Sequence, residues 1–278
     1  MTGVPDSASL PLPASGGASM RIMHITDIHF GDADPGRLEA ALAAMDKLKP
    51  DCIALTGDLT QASRKREFLD AGAWLRKIKP PIVAAPGNHD TPVYNLPARI
   101  LDPFGRYADL GLGGFWTGGN GLVAVASVNT ARGLQLRKDW SQGAFDLEDV
   151  SDAQTRLQAS APDGWRFLVC HHPPFTPTEA LVESSTRRSA KALKLLTPPA
   201  RTIVLCGHVH GFFLMEDPGT GVRIVAAPSL SSSRERGAGA GFVVIDVTAG
   251  ALAIQRWRHE GNAFVPDATI ASIAATAT

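Results

Sequence analysis

Five short polar clusters hold most of the side chains that could bind a metal ion. In chain order they are Asp27-Ile28-His29, Gly57-Asp58, Gly87-Asn88-His89-Asp90, His171-His172-Pro173-Pro174 and Gly207-His208-Val209-His210. Six of the eight histidines fall inside them. Imidazole nitrogens combined with carboxylate and amide oxygens, without thiolates, favour Mn, Fe, Co, Ni or Zn over Mg and Ca, which prefer all-oxygen shells. The clusters therefore predict a site for transition-metal or zinc ions.

Each cluster taken alone has an ordinary structural explanation. A single Gly-Asp pair is typical of a turn, and an isolated Asp-x-His is typical of a hydrogen-bonded surface pair. All five clusters, however, directly follow a short apolar run. In open α/β sheets, ligands bind at the carboxyl ends of the strands. Side chains two apart on an extended chain point to one face, which predicts that Asp27 and His29 converge, as do His208 and His210.

The segments that must position these clusters alternate between apolar strands and amphipathic helices. Strands are predicted at 21–26, 52–56, 82–85, 122–128, 166–169 and 202–205, and helices at 37–48, 64–78, 147–158 and 186–196. This order predicts parallel pairing with crossover helices. The last third predicts an antiparallel meander of strands at 222–226, 241–247 and 251–257, and residues 102–121 predict a loop. The resulting fold class is α/β, a four-layer α/β/β/α sandwich of two mixed sheets flanked by helices.

Length and composition limit the domain organisation. The chain has 278 residues, with 27 basic against 27 acidic side chains and 44% hydrophobic residues, a composition typical of a globular protein. We predict flexible tails at 1–19 and 265–278 around a single domain at 20–264. The first 19 residues have neither the basic start nor the apolar stretch of a signal peptide.

The same composition bears on partners and compartment. No apolar run approaches the roughly 20 residues that a membrane span needs, so we expect no span. Zero net charge disfavours an extended nucleic-acid surface. The three cysteines each lie in or beside an apolar run, which predicts buried free thiols. Such thiols are typical of a reducing compartment, so we expect a cytoplasmic protein.

The five clusters, in this order, resemble the motifs of the calcineurin-like metallophosphoesterase superfamily. The resemblance extends from residue 21 to about residue 247, and it is strongest to the bacterial cyclic-nucleotide phosphodiesterase and glycerophosphodiesterase-like branch. The chain departs from the protein serine/threonine phosphatases, whose second motif continues into Asp-Arg-Gly. Here Gly57-Asp58 continues into Leu59-Thr60-Gln61, which argues against phosphoprotein substrates.

The resemblance implies two divalent metal ions, of the Mn, Fe or Zn type. It implies that one ion is held by Asp27, His29 and His210, the other by Asn88, His171 and His208, and that Asp58 bridges them. The chemistry of the side chains agrees, because a carboxylate offers two oxygens whereas an imidazole offers one nitrogen to a metal at a time. Two such ions leave a positive field that suits a phosphate ester.

For four further residues the sequence allows more than one role. In the family, the histidine at the position of His89 lies beside the phosphoryl group, which makes His89 the catalytic candidate; the alternative is a hydrogen bond within the turn. Asp90 is expected either to orient a histidine or to be a solvated carboxylate. His172 is expected to face the substrate or to support a ligand, since the family pattern His-x-Pro selects His171. Asn129 ends a strand and either faces the cleft or is structural.

The implied function is hydrolysis of a small phosphodiester, of the cyclic-nucleotide or glycerophosphodiester type. A hydroxide that bridges the two ions would attack phosphorus in line with the departing alkoxide. The alternatives are a phosphomonoesterase or pyrophosphatase, or a nuclease, with the same dimetal centre, and a scaffold that has lost catalysis. The complete ligand set argues against the scaffold, and neutral charge argues against the nuclease. The resemblance also allows a homodimer.

Overall fold

Strands and helices alternate along the part of the chain that the computed structural model describes, which is residues 18–135, 139–181, 184, 186–232 and 239–275. The strands are β1 Met20–Ile25, β2 Cys52–Leu55, β3 Ile82–Ala84, β4 Phe115–Gly118, β5 Val123–Ser127, β6 Trp165–Val169, β7 Thr202–Cys206, β8 Phe213–Glu216, β9 Arg223–Ala226, β10 Gly241–Val247, β11 Ala251–Glu260 and β12 Ala263–Ala274. The α-helices are α1 Pro35–Leu48, α2 Lys65–Leu75, α3 Leu96–Leu101, α4 Gly105–Ala108, α5 Leu147–Ser160 and α6 Ser189–Leu195.

The strands form two mixed six-stranded sheets. One sheet has the order β12-β11-β10-β1-β2-β3, and the other has the order β4-β5-β6-β7-β9-β8. Strands β1, β2 and β3 are parallel, as are β5, β6, β7 and β9, while the remaining pairings are antiparallel. Parallel strands need crossover connections, and α1, α2, α5 and α6 lie in them. The carboxyl ends of the parallel strands therefore carry the polar clusters.

Three apolar clusters hold four layers together. Alternating side chains of one strand point to opposite faces, so Met23 packs toward α1 and α2, whereas Ile22 packs between the sheets. Ile22 meets residues of the second sheet such as Phe167. On the outer face of that sheet, Leu168 packs against residues of α5 and α6, including Leu157. The predicted α/β/β/α sandwich is confirmed.

Several predicted elements were wrong in detail. The expected loop at 102–121 contains α4 and β4, and β8 was not predicted. The expected strand at 222–226 is not part of the meander. It corresponds to β9, which pairs with β7 in parallel and with β8 antiparallel, while the meander consists of β10, β11 and β12. The partner of a strand is decided by long-range contacts that local periodicity does not record.

The C-terminal segment differs from the expected flexible tail at 265–278. Strand β12 pairs with β11 as far as residue 274. It is anchored where the Phe264 ring lies 4.9 Å from that of Phe242, which stacks on Trp257. The many alanines of this segment hid the strand, because they lack the bulk that marks one. Residues 276–278, and residues 1–17 of the expected N-terminal tail, lie outside the described ranges.

The single-domain prediction for 20–264 stays a prediction.

Within the described ranges, none of the helices has the length and apolar character that crossing a bilayer requires.

Candidate metal centre

The five polar clusters meet at one edge of the sandwich, where the loops after β1, β2, β3, β6 and β7 come together. Backbone hydrogen bonds tie these loops to one another. Asp27 N donates to Gly57 O and His29 N donates to Asp58 O, each at 3.0 Å. Gly207 N donates to His171 O at 2.9 Å, which joins the last two clusters. Side chains that are far apart in sequence therefore share one buried space.

Five site residues have left-handed backbone. The positive φ angles are 50° at Asp27, 57° at His29, 48° at Asp58, 69° at His208 and 54° at His210. The sequence predicts that Asp27 converges with His29, and His208 with His210, as alternate residues of an extended chain. The side chains of the site do converge, but they do so from left-handed turns instead of extended backbone. Left-handed backbone costs a residue other than glycine about 1–2 kcal/mol. Asp and His are among the residue types that tolerate it, and such strain is concentrated at functional sites.

The first group of candidate ligands consists of Asp27, His29 and His210. Nε2 of His210 lies 3.1 Å from Oδ1 of Asp27, and Nε2 of His29 lies 3.7 Å from the same oxygen. The two Nε2 atoms are 3.4 Å apart. The other oxygen of Asp27 accepts hydrogen bonds from the Thr26 hydroxyl at 2.7 Å and from His208 N at 2.9 Å. Oδ1 is thus the oxygen turned toward the histidines.

The second group lies next to the first, with Asp58 between them. Nε2 of His171 lies 3.2 Å from Oδ1 of Asn88 and 3.3 Å from Oδ2 of Asp58. The same Oδ2 lies 3.8 Å from Nε2 of His29, while Oδ1 of Asp58 accepts from His89 N at 2.8 Å. The ring of His208 is 5.2 Å from that of His171, centroid to centroid. One oxygen of Asp58 therefore faces both groups.

Hydrogen bonds determine which ring nitrogens the two histidines after β6 can offer to a metal ion. Nδ1 of His171 lies 2.7 Å from the carbonyl of Thr56, so it carries the proton, and Nε2 is the nitrogen turned toward Asn88 and Asp58 as a potential metal ligand. His172 uses both nitrogens, with Nδ1 2.9 Å from the Thr130 hydroxyl and Nε2 2.8 Å from the Ser141 carbonyl. His172 is fully buried and its hydrogen bonds tie the end of β6 to Thr130 and Ser141. It also lies in a candidate ligand group with His171 and His208.

The side-chain charges of this buried site depend on one another. Burial alone would raise the pKa values of Asp27 and Asp58, but the adjacent histidines outweigh it and hold both pKa values below the ordinary range. Burial would lower the pKa of His171, yet Asp58 raises it to about 9. Burial, His171 and His208 together keep the pKa of His172 well below its usual value. Two buried carboxylates thus demand positive charge beside them.

Asp90 is completely enclosed by hydrogen-bond donors. Its Oδ2 accepts from Leu59 N at 3.2 Å and from Gly87 N at 2.9 Å, and its Oδ1 accepts from the amide and hydroxyl of Thr60 at 2.8 and 3.0 Å. Burial and the charge of Asp58 raise the pKa of Asp90. The sequence left two roles open for Asp90, which were to orient a histidine or to be a solvated carboxylate. The structure shows neither of them. Asp90 fastens the loop after β2 to the loop after β3.

His89 and Asn129, the two remaining candidates, lie in different surroundings. The ring of His89 lies 4.9 Å from that of His29, and its Nδ1 is 2.6 Å from the Gln61 carbonyl, so His89 borders the first group with Nε2 left for other contacts. The amide oxygen of Asn129 accepts from Ala131 N at 2.8 Å, and Asn129 lines a cavity of about 350 Å³ beside α5.

Sequence reasoning missed the groups that orient the candidate ligands. The carbonyls of Thr56 and Ser141 carry no side-chain signal at all. Thr26 adjoins the first motif and Thr130 follows Asn129, but no spacing rule distinguishes them from other threonines. These partners can be found only once the loops are folded together.

The donor set fits metal ions. Oδ1 of Asp27 is buried and accepts no hydrogen bond, although two imidazole nitrogens lie close to it. Four sets of three side chains among the described residues have ligand atoms within 4.8 Å of one another, and each contains histidine. A cation among them would satisfy the carboxylate and bind ring nitrogens such as Nε2 of His171, whose Nδ1 is held by the Thr56 carbonyl.

Comparison with known proteins agrees with this geometry. The family model described as calcineurin-like phosphoesterase matches residues 20–212, which include all five clusters. The chain belongs to the calcineurin-like phosphoesterase family. It is therefore a metal-dependent phosphoester hydrolase, and the family resemblance noted from the motifs is confirmed.

Curated members of this family resemble the chain along most of its length. The 3',5'-cyclic adenosine monophosphate phosphodiesterase CpdA of Escherichia coli K12 is 24% identical over 244 residues, which are 79% of each protein. A probable cyclic nucleotide phosphodiesterase of Synechococcus is 23% identical over 211 residues, covering 70% of this chain and 75% of the relative. The branch indicated by the motifs is the one to which these relatives belong.

Solved structures share the calcineurin-like phosphoesterase fold. A dimetal phosphatase from Danio rerio superimposes with a TM-score of 0.64 at 11% identity, covering 92% of this chain and 99% of that one. PhoD superimposes with the same TM-score at 14% identity, covering 96% of this chain and 70% of that one. At these identities the likeness concerns the fold.

Proposed function

We propose that the protein is a dimetal phosphodiesterase for a small diester of the cyclic-nucleotide or glycerophosphodiester type. The observation that carries the proposal is the position of Asp58 Oδ2, 3.8 Å from His29 Nε2 and 3.3 Å from His171 Nε2. A single oxygen facing both ligand groups suits a bridge between two cations. The cyclic-nucleotide phosphodiesterase names of the two curated relatives support the diester class.

The candidate ligands would divide between two ions. Asp27, His29 and His210 would hold one, and Asn88, His171 and His208 the other, with Asp58 shared. When bound, two divalent ions lower the pKa of a shared water and neutralise charge on the phosphate. The His171 Nδ1 contact with the Thr56 carbonyl keeps Nε2 available for the second ion. Iron, manganese and zinc all suit this donor set.

His89 completes the site as the group that touches the substrate. Its backbone amide donates to Asp58 Oδ1, and its Nδ1 proton is held by the Gln61 carbonyl. Nε2 is then the atom that can donate a proton to the departing alkoxide or stabilise the phosphoryl oxygens. General acid catalysis of this kind contributes about 10²–10⁴-fold to a rate.

The test is hydrolysis of bis(p-nitrophenyl) phosphate by protein loaded with Mn²⁺, compared with chelator-treated protein. We expect metal-dependent turnover, and we expect Asp58→Asn to lose both the turnover and part of the bound metal. Protein that binds two ions per chain but does not hydrolyse bis(p-nitrophenyl) phosphate would contradict the proposal.

A second measurement separates the alternative enzymes. Higher kcat/KM on p-nitrophenyl phosphate than on the diester would indicate a phosphomonoesterase. Salt-sensitive DNA cleavage would indicate a nuclease. A panel of cyclic nucleotides and glycerophosphodiesters then identifies the leaving group. Under the proposal, bis(p-nitrophenyl) phosphate is hydrolysed with a higher kcat/KM than p-nitrophenyl phosphate, which has the same leaving group.

A further inference from the structure

The turn that carries Asp27 and His29 holds both residues in left-handed backbone. Their φ angles are 50° and 57°. This conformation is unfavourable for residues other than glycine, and it persists only where surrounding contacts fix it. The contacts that fix the turn therefore help to decide where these two candidate ligands point.

The amide side of this turn is held by the loop after β2. Asp27 N and His29 N each donate to a carbonyl of that loop at 3.0 Å, and Phe30 N donates to a third carbonyl at 2.8 Å. Buried carbonyl groups need partners as much as buried amides do. The carbonyls of the turn point away from the loop after β2, so another segment must supply their donors.

The carbonyl side of the turn is held by residues 229–232, which follow β9 and which we call the serine segment. The Ser229 hydroxyl donates to Asp27 O at 2.6 Å. The Ser231 hydroxyl donates to Ile28 O at 2.8 Å. These two carbonyls belong to the two peptide groups that link the candidate ligands. The serine hydroxyls therefore fix the backbone between one ligand and the next.

The serine segment is itself built firmly into the fold. Leu230 packs in the same apolar cluster as Ile28, and its amide donates to Thr26 O at 3.0 Å. Ser232 N donates to Oγ of Ser229 at 3.1 Å. The Ser229 hydroxyl thus accepts one hydrogen bond while it donates another. Because both of its bonds are made inside the protein, this donor has a defined position.

Burial separates these hydroxyls from any substrate. Ser229 is 1% exposed and Ser231 is 0% exposed. A hydroxyl enclosed to this degree cannot reach a bound phosphate ester. Removing a buried donor leaves its acceptor unpaired, which costs more than an average hydrogen bond contributes. Replacing either serine should therefore release the turn instead of leaving it as it is.

We infer that Ser229 and Ser231 are positioning residues for the first metal ion of the centre. The inference rests on the proposed division of ligands between two ions, in which the first ion is held by Asp27, His29 and His210. The two serines act through backbone carbonyls and touch neither the ions nor the substrate. Their removal should weaken the binding of the first ion.

The effect should be selective for one ion of the two. The hydroxyls of Ser229 and Ser231 bond to the loop after β1, whereas Asn88 and His171 of the second group follow β3 and β6. A general loss of stability would affect both groups of ligands. Selectivity therefore distinguishes a positioning role from a purely structural one.

The experiment measures Mn²⁺ affinity by titration calorimetry in chelator-treated protein that keeps one complete ligand group. Asn88→Ala removes a ligand of the second ion, and His210→Ala removes a ligand of the first. Added to Asn88→Ala, Ser231→Ala should weaken Mn²⁺ binding by about 10–100-fold, as the loss of outer-sphere partners generally does. Added to His210→Ala, the same substitution should leave the affinity unchanged. Ser229→Ala should show the same selectivity.

Thr202→Val is the matched control. Thr202 is fully buried at the start of β7, and its hydroxyl donates to Pro198 O at 3.0 Å. Valine removes a hydroxyl-to-carbonyl bond of the same kind, so urea denaturation should show a similar loss of stability, with Mn²⁺ affinity unchanged in both backgrounds. Ser231→Cys keeps a weak donor, so its affinity should lie between those of the serine and alanine proteins. It carries the test if Ser231→Ala does not fold.

Two outcomes overturn the inference and leave the phosphodiesterase function intact. Equal weakening in the Asn88→Ala and His210→Ala proteins would show that the serines only stabilise the fold. Unchanged affinity in the Asn88→Ala protein would show that the turn keeps its geometry without them. Wild-type protein that binds only one Mn²⁺ ion per chain would refute the two-ion centre itself, and the inference with it.

Discussion

At the scale of single residues, hydrogen bonds from outside the motifs decide what each side chain can do. His171 and His172 are adjacent and equally buried. Nε2 of His171 faces the side-chain oxygens of Asn88 and Asp58, whereas the ring nitrogens of His172 are bonded to groups outside the ligand set. The sequence could propose both but distinguished them only through the family pattern. The distinction depends on Thr56 and Ser141, whose carbonyls have no counterpart in a motif.

His89 is the residue whose replacement should separate chemistry from metal binding. We expect His89→Asn to lower kcat on bis(p-nitrophenyl) phosphate by about 10²–10⁴-fold, because Nε2 is removed. The metal content, measured by atomic emission, should stay at the wild-type value. His259→Asn on β11 serves as a histidine control with unchanged kcat. Loss of one ion per chain in His89→Asn would make His89 a ligand instead.

Asp90 should act on the centre only through the loops that it fastens. An asparagine of the same shape cannot accept all four donors, so Asp90→Asn should weaken Mn²⁺ affinity by about 10–100-fold, as outer-sphere partners of metal ligands generally do. Activity should recover in part at saturating Mn²⁺, which a lost catalytic group would not allow.

The control for Asp90 is Asp246→Asn, which removes a buried carboxylate paired with Arg21 Nε at 2.6 Å. Titration calorimetry should show wild-type Mn²⁺ affinity in this variant. Equal affinity losses in both variants would mean that lost stability, not loop position, is responsible.

At the scale of elements, the strands that carry the motifs could be predicted, as could β5, β9, β10 and β11, whereas β4, β8 and β12 could not. The runs before Asp27, Asp58 and His208 are apolar enough to define buried strands. Strand β8 is short and only half-buried, and β12 is rich in alanine, so neither has a strong local pattern. The left-handed turns were also out of reach, because Asp and His occur in many other conformations.

Gly87 shows how closely these elements approach one another. Its φ is −102°, so an alanine would be allowed by the backbone. A Cβ there would lie 2.8 Å from Cγ of Asp58 and overlap its Oδ1. Gly87→Ala should therefore displace Asp58 and lower kcat/KM by roughly 100-fold, the cost of about 1 Å of misplacement. Mn²⁺ titration should show weaker binding.

Gly250→Ala is the matched control, since a Cβ at Gly250 meets nothing within 4 Å. Its affinity and activity should equal those of the wild type. Unchanged Mn²⁺ binding in Gly87→Ala would show that the loop after β3 can shift to accommodate the added methyl group without displacing Asp58.

At the scale of the whole molecule, folding stability is coupled to a histidine outside the metal-ligand groups. His24 is fully buried in β1, with Nε2 2.9 Å from the Thr56 hydroxyl. Burial lowers the pKa of His24 to about 3, whereas a solvent-exposed histidine has a pKa of about 6.5. Between these values the unfolded chain binds a proton that the folded chain does not. This one group should therefore reduce the free energy of unfolding as the pH falls, by about 1.4 kcal/mol per pH unit.

The measurement compares chelator-treated wild type and His24→Gln by urea denaturation between pH 6 and pH 4. Chelation removes metal loss from the comparison. The wild-type free energy of unfolding should fall more steeply than that of the variant, by about 1 kcal/mol or more per pH unit. Parallel slopes would show that His24 is protonated in the folded state.

The three thiols have a practical consequence. Cys52, Cys170 and Cys206 are all buried, and burial raises the pKa of each, that of Cys52 to about 12. Maleimide reagents, which need an accessible thiolate, should leave the native chain unlabelled. A cysteine introduced on the outward face of α3 would then be the sole attachment point for a fluorophore or spin label. The wild-type cysteines need no replacement before such spectroscopy begins.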